Sequence, residues 1–150
     1  MAAVVFAASV TSVSAQADAT GMGTWKLNVE ISKFGAGPAL RSSTVKCEPA
    51  GNGVKVSVEN VAADGSKSMR EYTASYDGKD VPLEGSAMAD TTSLAPKDAQ
   101  TTVLIDKRAG KAAMTCTRVV AKDGKSATVA IKGTGAKAEA IDALLAFDKP

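Results

Sequence analysis

Histidine is absent from all 150 residues of the chain. With it go the usual general base near neutral pH, any Ser-His-Asp or Cys-His pairing, and imidazole ligands for zinc or haem. The composition therefore argues against an enzyme. Aromatic residues make up only 4%, with one tryptophan, two tyrosines and three phenylalanines, and Phe6 falls in a segment expected to be removed. The core must be built mainly from Val, Ala, Leu, Ile, Met and Thr. No run of one charge sign stands out: 18 basic and 16 acidic residues are interspersed for a net charge of +2. That supplies no basic stripe for a nucleic-acid backbone. Cysteine occurs only at Cys47 and Cys116, a spacing that matches no zinc motif. Neither a metal nor a cofactor is expected.

The first 17 residues, MAAVVFAASVTSVSAQA, form an uncharged apolar run that ends in small residues. Ala15-Gln16-Ala17 fits the small-x-small rule for signal-peptidase cleavage, and charge begins at Asp18. The basic residues that usually open a signal peptide are missing. The run is shorter than the ~20 residues of a membrane-spanning helix, and no other stretch is apolar enough to span. The expectation is a signal peptide over 1–17 and one domain over 18–150, exported to the periplasm or secreted, soluble and monomeric. Export makes a Cys47–Cys116 disulfide chemically permissible. Two buried, unbridged cysteines acting as small hydrophobes are the preferred reading.

The clearest strand is Gly23 to Glu30, where Trp25, Leu27 and Val29 alternate with Thr24, Lys26, Asn28 and Glu30. A tryptophan at its head suits the plug of one end of a closed sheet. Lys33 to Pro38 reads as a Gly/Pro loop. Strands are expected over 42–48 and 54–59 around Asn52-Gly53, a strong hairpin signal. Asp64-Gly65, Asp77-Gly78, Ala109-Gly110 and Asp123-Gly124 repeat the device, with strands over 70–76, 80–84, 91–94, 102–107, 112–121 and 126–132. The last segment, 140–148, has helix-forming composition in part, yet Ile141, Ala143, Leu145 and Phe147 alternate; a closing strand is expected. The whole is an all-β antiparallel meander, which removes its edges most simply as an up-and-down barrel of about eight to ten strands.

Gly23-x-Trp25 at the head of the first strand resembles the opening motif of the lipocalin and fatty-acid-binding barrels, the calycin group. In that group a late-strand arginine commonly packs across the tryptophan, and in Cys116-Thr117-Arg118-Val119-Val120 the matching residue is Arg118. The resemblance implies a cation–π lid of Arg118 over Trp25. GTWKLNVEISKFGAGPA, EYTASYDGKD and TRVVAKDGK are similar to a group of small exported bacterial lipocalin-like proteins of unassigned function. The Phe34 to Pro38 loop leaves no room for the helix pair of fatty-acid-binding proteins, so their ligands do not transfer.

Arg70, Tyr72, Ala74 and Tyr76 share one face of their strand. If that face is the interior, Arg70 would pair a ligand carboxylate and the tyrosines would supply apolar walls with hydroxyl handles; if the exterior, they form a solvated face. Val54, Val56, Val58, Val103, Ile105, Met114, Val129, Ile131, Leu145 and Phe147 are core by default, with Met114 also a candidate for the ligand wall. A barrel of this size either fills itself or holds one small ligand, and the scarcity of aromatics favours a cavity. The expected function is non-catalytic binding of a small hydrophobic or amphipathic molecule. The alternative is a packed barrel acting through its surface loops, Phe34 to Leu40 and Gly85 to Thr92, as an envelope interaction module or protease inhibitor.

Overall fold

Alternating side chains and glycine-bearing turns produce eleven strands in the computed structural model: β1 (Gly23–Leu27), β2 (Lys33–Ala36), β3 (Leu40–Ala50), β4 (Gly53–Ala62), β5 (Lys67–Ser75), β6 (Val81–Pro82), β7 (Thr91–Pro96), β8 (Thr101–Arg108), β9 (Lys111–Val120), β10 (Ser126–Thr134) and β11 (Ala140–Asp148). The structure describes residues 21–36, 39–135 and 138–150. The expected signal peptide lies outside them, as do Gly37 and Pro38 of the first loop. No helix among the described residues is long and apolar enough to cross a membrane.

Ten of the strands form a nearly closed antiparallel up-and-down barrel in the order β5-β4-β3-β1-β11-β10-β9-β8-β7-β6, and β2 pairs with β11. Every hairpin expected from an Asn-Gly or Asp-Gly pair joins sheet neighbours except that after Asp77-Gly78. There only Val81–Pro82 pairs, with Thr91 and Thr92 of β7. Ala109 and Gly110 both have positive φ, 51° and 79°, as the tight turn between β8 and β9 requires of primed hairpin turns. The segment 140–148 is a strand, paired along its whole length with β10.

Three readings of the sequence are corrected. The first strand stops at Leu27, because the Ser32 hydroxyl donates to the Asn28 carbonyl and accepts from the Ala146 N–H, holding Asn28 to Ser32 as an excursion from the ladder. Beyond it, Lys33–Ala36 is a strand instead of a loop, because β11 runs on past β1 and offers it a free edge. Val103 and Ile105 are half-buried on the outer phase of β8, whereas Thr102 and Asp106 are buried on the inner phase with Leu104 on the cavity wall. Both faces of that strand carry apolar residues, so alternation alone set no phase.

The two edges of the ribbon, β5 and β6, meet at a seam. Its backbone closure is one pair of hydrogen bonds exchanged by Glu71 and Glu84, at 3.0 Å each. Gly85 is needed beside it: with φ at 80°, a side chain there would run into the Met69 carbonyl of β5.

The main core lies toward one end, around Trp25, Val54, Tyr76, Val120, Ala127 and Phe147. Trp25 is only 3% exposed, and its Nε1–H donates to the Gly21 carbonyl at 3.0 Å. A smaller cluster of Met114, Cys116 and Ile141 lies across the wall of β9 and β11.

Candidate functional site: the barrel interior

Because the inward faces of the strands are mostly aliphatic and lack large rings, they leave a cavity of about 430 Å³. It runs from Trp25, Cys47 and Phe147 at the plugged end to Leu40, Met69 and Met88 at the other. Exposed residues on its wall belong to this second end: Met69 is 51% exposed, and Gly85 and Ala87 are exposed too. The mouth is therefore between the start of β5, the 85–88 loop and the start of β3.

β5 turns Arg70, Tyr72 and Ala74 inward, and Tyr76 just past its end is buried as well. Arg70 and Tyr72 line the cavity; Tyr76 is buried in the plugged-end core and is not on the cavity wall. Met114 of β9 lines it from the opposite wall. Arg70 is not available in the way the sequence suggested. Its Nη1 donates to Asp106 Oδ2 at 2.8 Å and its Nη2 to Asp106 Oδ1 at 3.0 Å, the bidentate fork favoured between guanidinium and carboxylate. Thr92 donates its hydroxyl to the same Oδ1 at 2.8 Å. Asp106 is 1% exposed. Burial opposes the charge of Arg70, but the hydrogen bonds and charge of Asp106 outweigh it and hold the guanidinium above its ordinary value. This triad joins β5 to β7 and β8 across the seam, where β5 and the chain after β6 exchange the Glu71–Glu84 backbone pair.

Asp106 and Thr92 carry no signal that sequence reading used. An acidic residue in phase with Thr102 and Leu104 was the available hint, obscured by Val103 and Ile105 on the other face.

Arg118 of β9 also lines the cavity, but it does not cap the indole as expected. The cation over Trp25 is Lys149, with Nζ 5.1 Å from the ring centroid. Arg118 packs instead on Gly21, where an added methyl would lie 2.8 Å from Nη2, and its Nη1 lies 3.9 Å from Cys47 Sγ. The resemblance named the right region of the barrel and the wrong cation.

Of the two readings of the cysteines, the structure has the unbridged one: Cys47 and Cys116 are both buried free thiols. β1, β11 and β10 separate their strands in the sheet, so the two sulfurs project from different walls of the cavity. Burial pushes the Cys116 thiol up to about 12, with the Asp106 charge adding to it. Cys47 is raised by burial as well, against the pull of Arg118. Both stay protonated near neutral pH, which makes them poor nucleophiles. Burial likewise raises the Tyr72 phenol far above its ordinary range.

Acidic residues that cluster in the sequence are spread over the outer surface. Glu71 pairs with Lys55 at 3.3 Å, Asp80 with Lys107 at 2.9 Å, and Asp90 accepts from the Ala109 N–H at 3.1 Å. Among the described residues no group of three or more potential metal ligands comes together.

Comparison with known proteins finds no matching family and no similar curated sequence.

The interior therefore has to be interpreted from its own chemistry. It offers apolar surface, two inward arginines of unequal status, and the hydrogen-bonded pair Ser43 and Asn60, 2.6 Å apart on the wall of β3 and β4.

Proposed function

We propose that this barrel is a non-catalytic binding protein that encloses one small, mainly apolar molecule. The observation that carries the reading is the cavity of about 430 Å³ with aliphatic walls such as Val58, Leu104, Val129 and Ile131. Pockets of a few hundred Å³ with few polar groups are the usual form of small-molecule sites. Affinity would come from apolar surface removed from water, about 25 cal/mol per Å² before the costs of association.

A lipocalin-like kinship is in keeping with the tryptophan-plugged end, the open mouth opposite and the up-and-down strand order. The non-catalytic reading is supported by a cavity wall that carries no carboxylate among the described residues and by thiols held protonated. Export to the periplasm or beyond rests on residues 1–17 as a signal peptide; N-terminal sequencing of protein from the cell envelope should begin at Asp18.

The loops that a surface-acting barrel would use are drawn into the binding reading, since Phe34, Leu40, Gly85 and Met88 all line the cavity. What still favours an external partner is the Asn28 to Ser32 excursion, where Ile31 is 63% exposed beside an exposed Val29.

The test is titration with the neutral fluorophore N-phenyl-naphthylamine, on the native protein and on Ala143→Trp, which places a ring in the cavity. The native protein should bind it saturably at one site and the variant should not, with the same far-ultraviolet circular dichroism. No binding by the native protein, or equal binding by both, would overturn the proposal.

A further inference from the structure

Among the described residues, two cations line the cavity, Arg70 and Arg118, and no carboxylate does. Their situations differ. Arg70 is neutralised from behind by Asp106 through two hydrogen bonds. A second carboxylate brought to it would meet the first, and like charges at that range oppose each other's ionisation. Its Nε–H, which makes neither of those bonds, is buried without an acceptor and has no surface to offer a ligand.

Arg118 has no acidic residue within ion-pair distance among the described residues. Among the described residues its hydrogen bond runs to the Cys47 sulfur, a weak acceptor in its neutral form. A half-buried guanidinium beside an apolar cavity, with no carboxylate partner among the described residues, is the group there that gains most from an oxyanion.

Resting on the binding reading above, we infer that the ligand is an amphipathic anion, its carboxylate or similar compact oxyanion paired with Arg118 at the plugged end and its apolar body directed toward Met69 and Met88 at the mouth. Arg118 then gains a bidentate partner of the kind Arg70 already has in Asp106. The apolar body lies along Val129, Ile131 and Leu145, which supply no polar partner and so set no demand on its chemistry beyond size.

Three amphiphiles with the same twelve-carbon chain and different heads test this by displacement of N-phenyl-naphthylamine below their micelle concentrations: dodecanoate, dodecanol and dodecyltrimethylammonium. Dodecanoate should bind at least ten-fold more tightly than dodecanol, and the ammonium least tightly. In Arg118→Gln the dodecanoate advantage should vanish while dodecanol binds as before; Arg118→Lys should keep part of it. The order of the heads on the native protein needs no variant, so a misfolded Arg118→Gln leaves the test intact. Equal binding of dodecanoate and dodecanol, or an advantage that survives Arg118→Gln, would overturn the inference and leave the binding reading standing. Failure of all three to displace the bound fluorophore would overturn the inference alone, whereas failure of the fluorophore itself to bind would overturn both.

Discussion

At one end of the barrel Trp25, Val54, Tyr76, Val120 and Phe147 fill the space between the strands, while at the other Leu40, Met69 and Met88 stand round a gap. The plugged end uses most of the few aromatic rings among the described residues, and it is tied by the Trp25 N–H to Gly21 and by Lys149 above the indole. The mouth end has short, flexible or small residues there, and is held across the seam by a buried ion pair instead of by packing. Rigidity is thus supplied by apolar contact at one end and by directed polar bonds near the other, and only the second arrangement leaves room for a ligand.

The comparison can be broken first at the plug. Trp25→Ala should cost about 3–5 kcal/mol, as large-to-small core changes do; an unchanged urea midpoint would show that the plugged end is not where the stability lies. Asp106→Ala should cost a similar 3–5 kcal/mol, because it leaves the Arg70 charge buried and unpaired. Replacing both partners, Arg70→Met with Asp106→Leu, should recover much of that loss; if the double variant is as unstable as the single, the ion pair is more than a fastening of the seam.

Cys116 sharpens the comparison at high pH. Burial raises its folded thiol to about 12 from an ordinary value of 9.0, so the contribution is complete below pH 9 and is lost as the pH climbs from there toward 12. The unfolding free energy should fall by up to about 1.4 kcal/mol per pH unit from this group. Urea denaturation of Cys116→Val across that range should show a shallower fall; an identical one would mean the thiol is not desolvated. The smallest effect belongs to the mouth. Met69→Ala should change stability by no more than about 0.5 kcal/mol, as exposed substitutions usually do, and a loss near that of Trp25→Ala would erase the distinction between the ends.

Much of the wall was legible in the sequence because its signals are local. Asn52-Gly53 and Asp123-Gly124 each fix a turn by their own backbone preferences, and Val54, Val56 and Val58 declare their face by alternation. The inward face of β5 was legible only as one of two choices, since Arg70 and Tyr76 suit either a wet or a buried surface. What could not be read were the partners of inward residues. Arg70 meets Asp106 from 36 positions away in sequence, and no periodicity reports which strand lies opposite. The same limit explains the exchange of Arg118 for Lys149 over Trp25 and the offered bridge between Cys47 and Cys116. Each was a statement about contact between distant strands, drawn from facts about single ones.

The position of β1 has a kinetic consequence. It lies between β3 and β11, so the strand near the start of the chain acquires its second neighbour only from the strand near the end, as the Asn28 to Asp148 hydrogen bond across 120 positions illustrates. Hairpins such as β3–β4–β5 and β7–β8–β9–β10 can form from neighbours in sequence, but the ring cannot close while any part of the chain is missing. Closing so long a loop is entropically slow, and until it happens β1 and β11 present unpaired edges to other chains. Refolding should therefore be limited by docking of β11 rather than by formation of its hairpins, with aggregation competing during the interval before it arrives.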